Sequence, residues 1–137
     1  MTAARILVVD DQRDILDLTA TVLAAGGYGV TAVDSGVEAL DRLARETFDL
    51  VLLDINMPEM DGWETLRLIR ADELLADLPV VMFSVKGELR DKVQGMQEGA
   101  LDYITKPFEV DQLLSRVRQV IESIDGDDTR PAPLPGH

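Results

Sequence analysis

Short, uninterrupted apolar runs alternate along the chain with longer segments in which apolar residues recur at helical spacing. Runs such as LVLL, flanked by acids and a turn, are typical of strands buried on both faces of a parallel sheet. The weaker run at 30–33 contains a threonine and alternates, as expected of an edge strand. Five strands are predicted in this way, at residues 6–9, 30–33, 50–53, 80–83 and 103–104.

Five amphipathic helices are predicted, one after each strand. The first ends at Gly26 and Gly27, and the spacings of Ser35 with Glu38 and of Asp61 with Glu64 predict capping boxes at the second and third. In the first helix, Ile15, Leu18 and Val22 recur at helical spacing together with their neighbours Leu16 and Leu23. Val37, Leu40 and Leu43 give the second helix a buried stripe, and Trp63, Leu66 and Ile69 face inward on the third. Leu89, Val93 and Met96 mark a mostly polar fourth helix, and the last helix has the clearest periodicity, at Val110, Leu113, Leu114, Val117, Val120, Ile121 and Ile124. Alternating strands and helices predict an α/β domain, (βα)5, with a doubly wound five-stranded parallel sheet.

The length of 137 residues fits one domain. The periodic pattern runs through Ile124 and then gives way to DGDDTRPAPLPGH. We therefore predict a domain at residues 1–124, followed at 125–137 by a flexible proline-rich tail or a truncated linker.

Charge and composition exclude several kinds of function. There are 26 acidic residues against 13 basic ones, which gives a net charge of −13 and makes nucleic acid an unexpected direct partner. The absence of cysteine excludes disulfides, thiolate metal sites and a cysteine nucleophile. The apolar run at 6–9 is too short for a signal peptide or a membrane span, so a cytoplasmic protein without membrane contact is expected.

Polar residues follow the apolar runs at the carboxyl ends of four predicted strands. Asp10 and Asp11 follow the first, Asp54 the third, Ser84 the fourth and Lys106 the fifth. In parallel α/β sheets these ends share one edge, where ligands bind. Three carboxylates in one place require a proton or a cation among them, and oxygen ligands with an incomplete protein shell favour Mg²⁺. Such a site can bind and transfer a phosphoryl group, with Asp54 as nucleophile and Lys106 and Ser84 stabilising the phosphoryl oxygens.

Four motifs occur in order: ILVVDDQ, DLVLLDINMPEMDG, VVMFS and DYITKPF. Through these motifs the chain resembles, over residues 5–124, the receiver domain of bacterial two-component response regulators. The resemblance implies the flavodoxin-like strand order 2-1-3-4-5.

The resemblance also implies roles for the acids. Asp54 would be the phosphoacceptor, taking its phosphoryl group from a histidine kinase or a phosphotransfer protein. Asp10 and Asp11 would bind Mg²⁺ or Mn²⁺ together with Asp54 and the backbone carbonyl of Asn56. The protein would then be a signalling switch and not an enzyme in the usual sense, since its chemistry is limited to its own phosphorylation and dephosphorylation.

Further roles follow from the same resemblance. Lys106 would bind the phosphoryl group, aimed by a cis peptide bond to Pro107. Ser84 and the aromatic ring of Tyr103 would move together on phosphorylation. That movement would alter the face formed by the predicted fourth helix, last strand and fifth helix, where an effector protein would bind and where a homodimer, if one forms, would associate.

Several alternatives stay open at this stage. Asp10 and Asp11 are also suited to capping the first helix. A Mg²⁺-dependent aspartyl phosphatase of the haloacid type would need a second aspartate at the position of Asn56, and a flavodoxin-type flavin carrier would not place acids in its phosphate loop. A pseudo-receiver that binds partners without phosphorylation is the remaining alternative. It is favoured only by Val85, which replaces the family's usual small residue and is expected to slow phosphorylation by small donors.

Overall fold

The computed structural model describes residues 3–85, 97 and 99–125, apart from the side chains of Val85 and Asp125. It shows the predicted doubly wound parallel sheet, with the strands in the predicted order 2-1-3-4-5. The described elements are β1 (Arg5–Val9), α1 (Arg13–Ala25), β2 (Gly29–Val33), α2 (Gly36–Arg45), β3 (Leu50–Asp54), α3 (Gly62–Ala71), β4 (Val80–Val85), β5 (Asp102–Lys106) and α4 (Val110–Asp125). The helix predicted at Leu89, Val93 and Met96 and the tail at 126–137 lie outside the described residues, so α4 corresponds to the predicted fifth helix.

The sheet order reverses at β1. The chain passes from β1 to its neighbour β2 on one side and then to β3 on the other, so the carboxyl ends of β1 and β3 lie side by side at a topological switch point. In the register, Val9 is opposite Leu53, Asp54 is opposite Phe83, and Ser84 is opposite Thr105. The sheet therefore brings the predicted polar residues to one edge.

Two apolar cores cover the two faces of the sheet. Successive residues of each strand point to opposite faces, so Leu7 belongs to the core beneath α2 and α3, and Ile6 to the core beneath α1 and α4. Every residue of β3 is buried, as predicted for a central parallel strand. In the described part of the chain, no helix combines the length and the apolar character needed to cross a membrane.

The predicted helix ends are present. Gly26 caps α1, and Gly27 follows at a φ of 98°, a left-handed conformation that glycine adopts without steric cost. The Ser35 hydroxyl accepts a hydrogen bond from the backbone N–H of Glu38 at 3.1 Å. Asp61 Oδ1 accepts one from the backbone N–H of Glu64 at 2.9 Å, so α3 begins directly after the loop that leaves β3.

The buried face of α2 differs from the prediction. Val37 was expected to face the core but is 58% exposed, whereas Gly36 and Ala39 are buried. The reason is the close approach of α2 to the α3 region: a Cβ atom on Gly36 would lie 2.3 Å from Thr65 Oγ1 and 3.2 Å from Met60 Sδ. Packing without a side chain at Gly36 turns Val37 towards solvent.

The buried face of α1 also differs. Leu18 shares the predicted helical spacing but is 48% exposed, whereas Leu16 and Leu23, which also belong to the predicted pattern, are buried together with Thr19, which does not. Because residues three and seven positions apart share a helix face, the face set by Leu16 and Leu23 includes Thr19 and leaves Leu18 outside. Thr19 is fully buried, and in the described part of the chain its hydroxyl is a buried side-chain group without a hydrogen-bond partner.

Arg70, at the end of α3, connects three segments. Its Nε and Nη2 donate to the carbonyl of Gly99 at 3.1 and 2.8 Å, and its Nη1 donates to the carbonyl of Leu78 at 2.7 Å. The pKa of Arg70 is lowered by burial, an effect opposed by the charge of Asp77. These bonds fix the start of β4 and the approach to β5 at the edge opposite the polar residues.

Candidate functional site

The carboxyl edge of the sheet holds a compact cluster of acids. Asp10 follows β1 and is fully buried, Asp54 ends β3 and is 4% exposed, and Asp11 is the most exposed of the three. Each offers a carboxylate oxygen, and these oxygens all lie within 4.8 Å of one another. The structure thus brings together the three acids that the sequence predicted to meet.

Lys106, at the end of β5, extends into this cluster. Its Nζ lies 2.7 Å from Asp10 Oδ2 and 3.3 Å from Asp54 Oδ1, and its side chain is 14% exposed. It also donates to Gln12 Oε1 at 3.4 Å. One positive charge therefore faces two buried negative charges, and the cluster retains an excess of negative charge.

The pKa of Asp54 is raised from its ordinary value of 3.8 to about 6. Burial of the carboxylate is the largest cause, and the neighbouring charge of Asp10 adds to it. The charge and hydrogen bond of Lys106 and a hydrogen bond from the backbone N–H of Asn56 act in the opposite direction. Asp54 is consequently ionised at pH 7, although burial and the charge of Asp10 make its ionised form less favourable than it would be in water.

Asp10 bonds both to the backbone that precedes α1 and to Lys106, and its metal-binding role stays a prediction. Its Oδ1 accepts a hydrogen bond at 2.9 Å from the backbone N–H of Gln12, the residue that precedes α1. Its Oδ2 faces Lys106. The carboxylate therefore stabilises the start of α1 and belongs to the acid cluster at the same time. Sequence analysis did not identify Gln12 as a neighbour of the site, and its position directly after the two acids was the available signal.

The loop after β3 packs closely behind Asp54. The backbone N–H of Gly62 donates to the carbonyl of Ile55 at 2.9 Å, and a Cβ atom on Gly62 would lie 2.3 Å from the carbonyl oxygen of Asp54. Glu59, within the loop, has a positive φ of 63°. The proposed metal contact of the Asn56 carbonyl stays a prediction.

Ser84 and Tyr103 lie on neighbouring strands. Ser84 is 1% exposed and directly follows Phe83, the residue opposite Asp54. Tyr103 is also buried, opposite Met82, in the core beneath α3. Its backbone carbonyl accepts a hydrogen bond at 3.3 Å from Arg116 on α4. Their coupled movement stays a prediction, and the side chain of Val85 lies outside the described residues.

Two phenylalanines border the lysine, and sequence analysis assigned them no role in the site. The bond between Lys106 and Pro107 is cis, as the motif implied. The ring of Phe108 stacks on that of Phe83 with 5.5 Å between centroids and 17° between planes. Lys106 Nζ lies 5.5 Å from the centroid of Phe83.

The donor chemistry of the cluster fits a hard divalent cation. All three side chains offer carboxylate oxygens, and no thiolate competes because the chain has no cysteine. A cation would also relieve the repulsion that raises the pKa of Asp54. Mg²⁺ therefore suits these residues.

Known proteins are similar to this chain in sequence and in fold. Residues 6–118 match the family model described as "Response regulator receiver domain". The transcriptional regulator RpaA of Synechocystis is 39% identical over 121 residues, which cover 88% of this chain and 50% of that protein. The response regulator MprA of Mycobacterium leprae is 37% identical over 124 residues, which cover 90% of this chain and 54% of that protein. The chain thus spans about half the length of these curated relatives.

Solved structures agree with this assignment. A putative response regulator from Chloroflexus aurantiacus superimposes with a TM-score of 0.85 and 32% identity, over 88% of this chain and 98% of that one. The chemotaxis response regulator CheY4 of Vibrio cholerae gives a TM-score of 0.82 and 31% identity, over 87% of this chain and 99% of that one. Together with the fold and the acid cluster, these matches show that the chain belongs to the family of response regulator receiver domains.

Proposed function

We propose that this receiver domain is a phosphoacceptor switch in which Asp54 takes a phosphoryl group from the phosphohistidine of a histidine kinase or a phosphotransfer protein. The observation that carries the proposal is the convergence of Asp54 with Asp10, Asp11 and Lys106 at the carboxyl edge of the sheet. The carboxylate that would attack phosphorus, the acids that would bind a metal ion and the lysine that would bind the phosphoryl group then lie in one place.

The transfer exchanges one bond to phosphorus for another. A carboxylate oxygen of Asp54 forms a bond to phosphorus while the bond between phosphorus and the donor imidazole breaks. The electron pair of the broken bond goes to the imidazole nitrogen, which takes up a proton from water. Asp54 must be ionised for this attack, and a pKa of about 6 satisfies that requirement at neutral pH.

Lys106 and Ser84 act on the charge that the phosphoryl group brings. Lys106 Nζ already lies 3.3 Å from the acceptor carboxylate, so an incoming phosphoryl oxygen would meet its positive charge. The hydroxyl of Ser84 supplies a neutral hydrogen-bond donor next to the strand position opposite Asp54. Bound by Asp10, Asp11, Asp54 and the carbonyl of Asn56, Mg²⁺ or Mn²⁺ would supply positive charge that offsets the carboxylates and the phosphoryl oxygens.

The output of the switch is a change of binding surface. Movement of Ser84 towards the phosphoryl group, with Tyr103, would alter the face formed by the predicted fourth helix, β5 and α4, to which an effector protein or a second copy of the domain would bind. The net charge of −13 argues against direct binding of nucleic acid by this chain. A cytoplasmic location is proposed, since the donor would be a cytoplasmic kinase domain.

Intact mass spectrometry tests the phosphoacceptor. We expect one added phosphoryl group after incubation with a small phosphodonor and Mg²⁺, and none with EDTA or in an Asp54→Ala variant. An Asp17→Ala variant, which removes an exposed carboxylate from α1, serves as the matched control and should be labelled like the parent.

Because Val85 is expected to slow small donors, a panel of phosphorylated histidine kinases completes the experiment. Failure of every donor to label the parent, or labelling that persists in Asp54→Ala, would contradict the proposed function. Failure of every donor would favour the pseudo-receiver instead.

A further inference from the structure

We propose that Phe83 is a positioning residue for the phosphoryl-transfer reaction, because the face of its ring holds the ammonium group of Lys106 beside Asp54. This inference rests on the proposed function and concerns the same site. Phe83 touches neither the phosphoryl group nor a metal ion in this proposal. It acts through Lys106.

Phe83 lies on β4, between the strand that ends in Asp54 and the strand that ends in Lys106. It is directly opposite Asp54 on β3 and Ile104 on β5. Its side chain is fully buried and belongs to the core beneath α1 and α4. Lys106 extends from the end of β5 over this ring to reach the acids.

The distance between ammonium and ring is that of a cation–π contact. Lys106 Nζ lies 5.5 Å from the ring centroid of Phe83, and such contacts are attractive within about 6 Å. Since the lysine side chain is 14% exposed, water screens the contact weakly. A leucine at position 83 would fill much of the same space, but it would offer the ammonium group no electrostatic partner.

Phe108 fixes the orientation of the ring. It follows Lys106 and Pro107 in the chain and stacks on Phe83 with 17° between the ring planes. A stacked aromatic pair resists rotation better than a lone ring, because tilting either ring forfeits contact area. The segment that carries the lysine therefore also orients the ring over which the lysine lies.

Loss of the ring would slow phosphoryl transfer because Asp10 and Gln12 compete with Asp54 for the ammonium group of Lys106. The ammonium group is closer to Asp10, at 2.7 Å, than to Asp54, at 3.3 Å, and Gln12 offers a further acceptor. Without the attraction of the ring, these two groups would draw the lysine away from the phosphoacceptor. Phosphorylation should then slow while the fold persists.

Three variants of the full chain separate this role from packing. Phe83→Leu removes the ring, and a ring-fluorinated phenylalanine incorporated at position 83 keeps the shape but weakens the negative ring face. Val81→Ala is the control, because Val81 lies two residues earlier on β4 and is buried in the same core. For each variant we would measure the free energy of unfolding, the rate of labelling by a small phosphodonor with Mg²⁺, and the NMR shift of the Lys106 side-chain methylene protons.

We expect Phe83→Leu to be labelled about three- to tenfold more slowly than the parent, and the fluorinated protein to be slowed as well. The ring-current shift of Lys106 should disappear in Phe83→Leu. Val81→Ala should lose stability but keep the parent's labelling rate and Lys106 shift. That result would show that lost packing on β4 does not by itself slow labelling.

The outcomes distinguish the two proposals. If the parent is labelled on Asp54 and both position-83 variants are labelled at the same rate, Phe83 has no positioning role, and the phosphoacceptor proposal stands. If Val81→Ala slows labelling as much as Phe83→Leu, lost packing accounts for the effect and the inference is wrong. If no donor labels the parent, the proposed function and this inference both fail.

Discussion

Replacing Asp54 by asparagine is expected to stabilise the metal-free domain at neutral pH. The side chain is 4% exposed, and its carboxylate is ionised there although burial and Asp10 raise its pKa to about 6. Asparagine has nearly the same shape and carries no charge, so the substitution removes the repulsion without leaving a cavity. The domain would lose its proposed phosphoacceptor and gain stability in one step.

The pKa difference sets the upper limit of this gain. A carboxyl with a pKa of about 6 in the folded chain and 3.8 otherwise is destabilising by about 3 kcal/mol when ionised. Lys106 loses an ionic partner in the variant, and water screens part of the repulsion. We therefore expect Asp54→Asn to raise the free energy of unfolding by about 1–2 kcal/mol in EDTA.

The sign of the pH dependence follows from proton binding. Between about pH 4 and pH 6, the folded domain keeps a proton on Asp54 that the unfolded chain has released. The contribution of Asp54 to stability therefore increases as pH falls through this range. The advantage of Asp54→Asn over the parent should be fully present above about pH 6 and vanish towards pH 4.

Urea denaturation in EDTA, at neutral pH and near pH 4, measures both effects. Asp17→Asn is the control, because it makes the same change in net charge at an exposed position of α1. An Asp54→Asn variant that is no more stable than Asp17→Asn at neutral pH would refute the reasoning, as would an advantage that persists unchanged near pH 4.

Three further substitutions test contacts next to the site and elsewhere in the fold. Gly62→Ala should lower the free energy of unfolding by about 2 kcal/mol or more, because its Cβ would lie 2.3 Å from the Asp54 carbonyl oxygen. Gly29→Ala is the control, since a Cβ there meets nothing closer than 3.8 Å. Equal losses of stability in thermal denaturation would contradict the predicted clash at Gly62. Thr19→Val should stabilise the domain by about 1 kcal/mol in urea denaturation, since it removes a buried hydroxyl without a partner, and a loss of stability would show that the hydroxyl is paired. Arg70→Met should cost about 1–3 kcal/mol by the same assay, because it removes hydrogen bonds from a charged donor to the carbonyls of Gly99 and Leu78, and an unchanged midpoint would argue against that contribution.

The strands were predictable because their signal is local. A continuous apolar run flanked by polar residues has few alternatives, and all five predicted strands are present, with β3 extending through Asp54. The meeting of Asp10, Asp54 and Lys106 was predictable for a related reason. Parallel strands end at one edge, so a polar residue at each strand end is placed by topology alone.

The helix faces were less predictable, because periodicity alone does not show which stripe packs inward. Val37 and Leu18 are apolar and lie in the helical pattern, yet the buried residues include Gly36 and Ala39 on α2 and Leu16, Thr19 and Leu23 on α1. A glycine or a threonine carries little hydrophobic signal, although its small size is what permits close packing. Such choices depend on the neighbouring helix and not on the segment itself.

The contacts of Phe83 and Gln12 with Lys106 could not be predicted, since they depend on the path of a long lysine side chain. Sequence motifs identify the lysine but not the groups along its side chain. The chemical roles of Ser84, Tyr103 and the Asn56 carbonyl likewise depend on a bound phosphoryl group or metal ion, and they stay predictions.

The three clustered carboxylates have a consequence for natural variation in this domain. Because Asp54 is buried close to Asp10, the fold alone gains nothing from its charge, and a mutation that neutralises Asp54 is expected to leave a chain that still folds. Selection for stability and selection for the proposed signalling would therefore act in opposite directions at this position. A descendant that no longer needed to signal would be free to lose this acid without losing its shape.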